Sequence, residues 1–292
     1  MSILSLAMHA QLDYARKSGW LLIPASLLLA AVLRPPGEAQ NMRGPFQYRD
    51  ASSRNDVPRW ETKTGFERDV FTFARIRYTS TGGFGRGLRW NNDYPDSDLN
   101  FSYRLQQLTS LQVDPDGRVV ELSSPELFDH PFIYLIGPGT WTLDDDEALA
   151  LRRYLLSGGF MMVDDFWGRE SIENVLSQMK KVFPDREAAE LSFDHPIFHM
   201  VFDLKETPQV PDIRTWLSGY SYEVRHGDMT DHAPHFLGFS DDRGRLMALL
   251  CHNNDLGDGW EREGQNEEYF RQFSERWSYP MGINILTYAM TH

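Results

Sequence analysis

The sequence predicts an α/β fold, a parallel sheet with helices on both faces, followed by a C-terminal hairpin and helices. Two short, unbroken apolar runs, residues 131–137 and 160–163, have the look of strands buried on both sides. Between them lies a stretch with helical periodicity. A strand, helix, strand, helix succession favours parallel pairing, because the helix carries the chain back across the sheet.

The elements follow in order. Residues 1–39 combine Arg16-Lys17, a 14-residue apolar run from Trp20 to Leu33, and the small residues of Gly37-Glu38-Ala39. That pattern is a secretory signal peptide or a retained N-terminal anchor, the run being short for a membrane span. No cysteine follows it, which excludes a lipid-anchored lipoprotein. On either reading the rest of the chain is exported, to the periplasm or another extracytoplasmic place. The membrane is touched only through the N-terminal segment if that is retained. Residues 40–65 are polar and aperiodic, a linker or surface-hugging arm, and residues 66–292 form a single α/β domain.

Structure begins with an alternating strand over residues 70–78, a glycine-rich loop from Gly82 to Gly87, and a helix over residues 99–108. After the first apolar run, Thr142 is placed to cap a helix whose first turn carries Asp144, Asp145, Asp146 and Glu147, where the helix dipole favours anions. Gly158-Gly159 ends it. Strand 160–163 runs into Asp164-Asp165, and Ser171 caps a further helix through Lys181. Residues 236–239 and 245–251 flank Ser240-Asp241-Asp242-Arg243-Gly244, a hairpin signal. Two helices, residues 266–277 and 282–290, close the chain, split near Pro280.

The net charge of −13 disfavours nucleic acid or an anionic membrane surface as partner, since either needs a cationic footprint. A neutral small ligand or an envelope protein remains compatible. Cys251 is the single cysteine, so the chain has no intramolecular disulfide and no cysteine-based zinc site.

With residues 71–78, 132–137, Gly158-Gly159-Phe160 through Asp164-Asp165, Asp194-His195-Pro196-Ile197-Phe198 and Asn253-Asn254-Asp255 to Glu261 in view, the chain resembles a bacterial family called domain of unknown function 4159. The likeness runs from about Phe71 to the C-terminus. It implies a flavodoxin-like sheet of the class I glutamine-amidotransferase-like type, and no activity. Amidotransferases of that class place a nucleophilic cysteine in a tight turn after a buried strand. Here that turn reads Asp164-Asp165-Phe166-Trp167, and Cys251 lies inside an apolar run instead. The resemblance therefore implies a scaffold without its nucleophile.

Ligands of open α/β sheets bind beyond the carboxyl ends of the strands. The candidate polar cluster there is Asp164, Asp165, Trp167, Trp141, His252, Asn253, Asp255, Trp260 and Glu261. Asp164-Asp165 can hold a cation or divide acid and base roles; equally, one can cap and the other pair with Arg169 or Arg152. Tryptophans beside carboxylates can stack on sugars or simply roof the core. Asp194 and His195 are a secondary candidate, expected to be structural because Pro196 suits a first helical position and no HExxH motif is present. Asp93, Asp96, Asp98 and Asn100 resemble a calcium loop only superficially, for lack of the glycine that an EF-hand needs.

No cofactor and no metal ligand set is read from these patterns. The expectation is an exported, non-catalytic ligand- or partner-binding domain. The alternatives are a hydrolase, acting on saccharides through Asp164, Asp165 and Glu261, and a metal-stabilised module around Asp164, Asp165 and Asp255.

Overall fold

A computed structural model describes residues 57–65, 69–80, 89–223 and 231–292, all within the unit Asp50–His292. The signal or anchor, most of the 40–65 segment and the whole glycine-rich loop from Gly82 to Gly87 lie outside the described residues. Among the described residues no helix is long and apolar enough to cross a membrane.

The elements are β1 Val70–Phe71, β2 Ala74–Arg77, β3 Thr79–Ser80, α1 Asp96–Leu108, β4 Gln112–Val113, β5 Arg118–Glu121, β6 Phe132–Ile136, β7 Trp141–Thr142, α2 Asp145–Leu156, β8 Phe160–Phe166, α3 Gly168–Val182, β9 Ala189–Glu190, α4 Ile213–Leu217, β10 His235–Ser240, β11 Leu246–His252, α5 Leu256–Glu261 and α6 Glu267–Tyr269. A π-helical stretch, Phe270–Ser278, then leads directly into α7 Tyr279–Thr291.

The central sheet has seven strands in the order β5-β2-β6-β8-β11-β10-β9. The first five are parallel. The hairpin strand β10 runs antiparallel to β11, and β9 antiparallel to β10. Two core layers form because β6, residues 160–163 of β8 and residues 246–251 of β11 are apolar throughout and send alternate side chains to opposite faces. Phe132, Tyr134 and Ile136 join α1, α5 and α7 on one face. Ile133 and Leu135 join α2 and α3 on the other. Each such buried side chain contributes about 1.5–3 kcal/mol relative to exposure.

Several local expectations are corrected. Residues 70–78 are not one strand: β1 pairs with β4 in a separate two-stranded ribbon, while β2 joins the central sheet. Thr142 does not cap α2. It lies in β7 and donates to Thr79 O, while Asp144 and Glu147 form a complete capping box. Ser171 does not start α3, which begins at Gly168, where the Gly168 amide donates to the distant Asn253 Oδ1 at 2.9 Å. Pro280 does not split the C-terminal helices, because it falls in the first turn of α7 where the hydrogen-bond register changes. Strand β8 continues past Val163 through Asp164 and Asp165 to Phe166.

Near the N-terminal side of the domain, Trp60 Nε1 donates to Val113 O at 2.8 Å, and the indole packs on Tyr103.

Candidate functional site

The carboxyl ends of β6, β8 and β11 finish side by side. Ile136 pairs with Asp164, and Phe166 pairs with His252. Asp164 is fully buried. Its Oδ2 accepts from Tyr134 Oη at 3.0 Å and from the Gly257 amide at 2.9 Å, while Oδ1 accepts no hydrogen bond. Burial raises this carboxyl to about 7, against the lowering effect of those donors.

A strand would direct Asp164 and Asp165 to opposite faces. Asp165 has φ of 53°, which breaks the alternation. Among the described residues, the three non-glycine positions with positive φ are Asp93, Asp165 and Asn253, all at this edge. Strained backbone of this kind collects at functional sites. Asp165 stays partly open to solvent and accepts from Asn92 Nδ2 at 2.7 Å. Desolvation, then the charges of Asp93 and Glu223, push its carboxyl well above the usual range.

Beyond β11 the chain turns into α5. Asp255 is the N-cap, its Oδ1 accepting from the Asp258 amide at 2.8 Å. Asp258 Oδ2 accepts from the Ile213 amide at 2.9 Å, and its Oδ1 lies 3.5 Å from Arg262 Nε. Asp93 approaches from the opposite side. One carboxylate oxygen from each of Asp93, Asp255 and Asp258 lies within 4.8 Å of the other two, and all three residues are buried. Desolvation, then the charge of Asp258, raises Asp93 well above the carboxylate range, and desolvation with the charges of Asp165, Asp258 and Asp93 does the same to Asp255. Asp258 is raised to about 6 by burial and by Asp212, against Arg262. Glu261, held by Arg262 at 2.5 Å, is pushed up to about 10, first by burial and then by Asp93 and Asp258.

Gly257 makes this approach possible. A Cβ there would stand 2.6 Å from Tyr134 Oη and 3.2 Å from Asp93 Oδ2, so any larger residue would push both away from α5.

Asp93 is delivered by a second buried charge cluster. Arg75 Nε donates to Asp98 at 2.9 Å, Nη2 to Ser97 Oγ at 2.8 Å and to Asp98, and Nη1 to Trp90 O at 3.0 Å and Asn92 O at 2.9 Å. Tyr134 lies against the same guanidinium at 5.1 Å. Every N–H of Arg75 therefore has an acceptor, and the loop before α1 is fixed with Asp93 facing α5.

The predicted residues divide. Asp164, Asp165, Asp255 and Glu261 converge on one edge. Asn253 reaches the same edge but is taken up in holding the chain. It accepts from Gly168 N and donates to Asp231 O at 3.2 Å and Ala233 O at 2.9 Å. His252 is buried, its Nε2 3.1 Å from Gly168 O, and burial lowers its pKa to about 4. It is a neutral imidazole.

Of the two readings of the tryptophans, the structure bears out the core and removes the stacking platform. Trp141, Trp167 and Trp260 are within 1% of complete burial. Trp260 packs on Phe101 at 4.5 Å and Tyr134 at 5.8 Å, so indole burial outweighs any surface role. The suggested ion partners of Asp164-Asp165 are corrected too: Arg152 pairs with Asp185, and Arg169 lies beside Glu173. His195 lies away from this edge, in the turn after β9, where its Nδ1 accepts from Ile197 N at 3.2 Å beside Asp194.

Sequence reading did not place Arg75, Tyr134, Asp93 or Arg262 in the site, and it put Asp258 at this edge only as part of the segment 258–261, without a role of its own. Two signals were available. Arg75 is a lone charge in an apolar strand, which demands a buried partner. Asp255 and Asp258 are three apart at a helix start, the spacing of a cap and the residue it caps.

Comparison with curated proteins returns no match. The model of the family described as domain of unknown function (DUF4159) matches residues 72–290, three quarters of the chain and every residue of the site just described, and the chain belongs to that family.

Proposed function

We propose that the chain is an exported, non-catalytic ligand- or partner-binding domain of the bacterial envelope, built on a flavodoxin-like scaffold of the glutamine-amidotransferase-like type. Numbered along the chain, its five parallel strands lie in the order second, first, third, fourth, fifth, which supports the flavodoxin-like placement. The observation that carries the non-catalytic reading is the turn after β8. Where that scaffold presents its nucleophile, the end of β8 and the turn after it read Asp164-Asp165-Phe166-Trp167-Gly168, with no cysteine or serine, Trp167 buried and the Gly168 amide tied to Asn253. Cys251, buried in β11 beneath apolar neighbours, has a thiol that burial pushes up, which disfavours the reactive thiolate.

Turnover of ester, amide and glycoside panels tests the reading. The expected outcome is no hydrolysis that responds to Asp164→Asn or Asp165→Asn. A hydrolysis abolished by either substitution overturns it in favour of the saccharide hydrolase. Export is tested separately by sequencing the N-terminus of the chain recovered from the envelope fraction. A start after Ala39, or an intact segment held in the inner membrane, supports export; recovery from the cytoplasm overturns it.

A further inference from the structure

We propose that Asp93, Asp255 and Asp258 form a binding site for one hard divalent cation such as Ca2+. The inference goes beyond the binding-domain reading and fails independently of it, since a cation at this edge is compatible with a ligand, a partner or turnover.

The donor chemistry comes first. All three groups offer carboxylate oxygen, the donor that hard cations prefer over the nitrogen and sulfur ligands of zinc or copper. Ca2+ takes oxygen at about 2.3–2.6 Å, so donors on opposite sides of it stand roughly 5 Å apart. The mutual separations here, at most 4.8 Å, fall within that span.

The second observation is independent of the cluster's composition. Asp93 is 7% exposed, yet its Oδ2 accepts no hydrogen bond. Buried carboxylate oxygens rarely lack a partner, because desolvation without compensation is costly. This oxygen faces the first turn of α5, 3.2 Å from the point a Cβ on Gly257 would occupy, and Gly257 sits between Asp255 and Asp258 in the chain.

Third, the trio is held in place from outside. Asp255 Oδ1 is fixed by the Asp258 amide, and Asp258 Oδ2 by the Ile213 amide. The Asp93 carbonyl accepts from Ser97 N at 2.9 Å, and Arg75 grips the preceding Asn92 carbonyl. Like charges kept this close without freedom to separate are the electrostatic complement of a cation.

The test uses the full chain, stripped with a chelator and exchanged into metal-free buffer. Calorimetric titration with Ca2+, Mg2+ and Mn2+ should find one ion per chain, with Ca2+ raising the melting temperature as its concentration rises. Asp93→Asn and Asp255→Asn should each weaken Ca2+ binding roughly tenfold or more, since affinity in such sites follows ligand charge. Asparagine at 255 keeps the α5 cap, so that variant carries the test should Asp93→Asn fold poorly. If none of the three ions binds at about 1 mM, the weak end of the calcium-site range, the proposal is wrong. It is equally wrong if both variants bind Ca2+ as the native chain does.

Discussion

Two buried charge clusters stand on either side of the Tyr134 ring, and they are built to opposite specifications. Around Arg75 every donor has an acceptor, and Asp98 supplies the balancing charge within the protein. Around Asp93, Asp255 and Asp258 the acids outnumber the nearby guanidinium of Arg262, which also serves Glu261, and one buried oxygen has no donor. The first cluster is internally complete and therefore structural. Among the described residues, the second lacks a full complement of positive charge, which protons or a bound cation would supply. The contrast shows that burial alone does not distinguish a scaffold ion pair from a binding site; charge balance and hydrogen-bond satisfaction do.

The largest expected effect comes from breaking the complete cluster. Arg75→Met leaves Asp98 buried and unpaired, and should lower the unfolding free energy by about 3–5 kcal/mol in a urea titration. The Asp98→Leu partner substitution should recover much of that loss, because removing both charges leaves neither stranded. A double variant as unstable as Arg75→Met alone would mean that the pair is not the source of the stability.

His252 offers a third treatment of buried polarity, with the charge avoided altogether. Its pKa falls from 6.5 to about 4 through burial, so the folded state binds fewer protons than the unfolded chain. That contribution is fully present above pH 6.5 and is lost as pH falls towards 4, amounting to about 3 kcal/mol at the acid end. Unfolding titrations at a series of pH values should show this acid limb, and His252→Gln should flatten it. An unchanged limb in the variant would assign it to other groups.

Much of this frame was legible from residues alone. The runs 132–136 and 160–163 announced a buried parallel sheet because nothing polar interrupts them, and Asp164 and Asp255 stood out as acids where those runs end. What could not be read was how far apart in sequence the clusters would be assembled. Asp93 sits 162 positions before Asp255, and its left-handed backbone is set by Arg75 gripping the loop, not by its neighbours in the chain. The run containing Asp93, Asp96 and Asp98 was set aside for lacking an EF-hand glycine. The glycine that matters there is Gly257, contributed by another element. The tryptophans follow a related rule: aromatic rings usually bury, and Trp141, Trp167 and Trp260 roof the core although they lie at strand ends.

Gly257 also allows the second cluster to be distorted without altering its charge. Gly257→Ala places a methyl 2.6 Å from Tyr134 Oη. Overpacking of this kind costs about 1–3 kcal/mol. The double variant with Tyr134→Phe should regain part of it, since the hydroxyl is the nearest obstacle. Calorimetry on Gly257→Ala should also find weaker Ca2+ binding, as Asp93 is displaced from its partners. Full Ca2+ affinity in that variant would separate Asp93 from the proposed ion site.

The smallest effect is the most discriminating, because it has opposite signs in the two clusters. Asp98→Asn removes the charge that balances Arg75 and should destabilise the chain. Asp93→Asn is the same chemical change, but it removes a charge that Asp255 and Asp258 repel. In metal-free buffer it should leave stability unchanged or raise it by up to about 1 kcal/mol, the scale of relieving one like-charge contact in a partly screened site. With saturating Ca2+ the order should reverse, the native chain gaining stability that the variant cannot. Both comparisons come from the same pair of thermal melts. If Asp93→Asn destabilises the metal-free chain as Asp98→Asn does, then Asp93 already has its counter-charge within the protein, and the two clusters are of one kind.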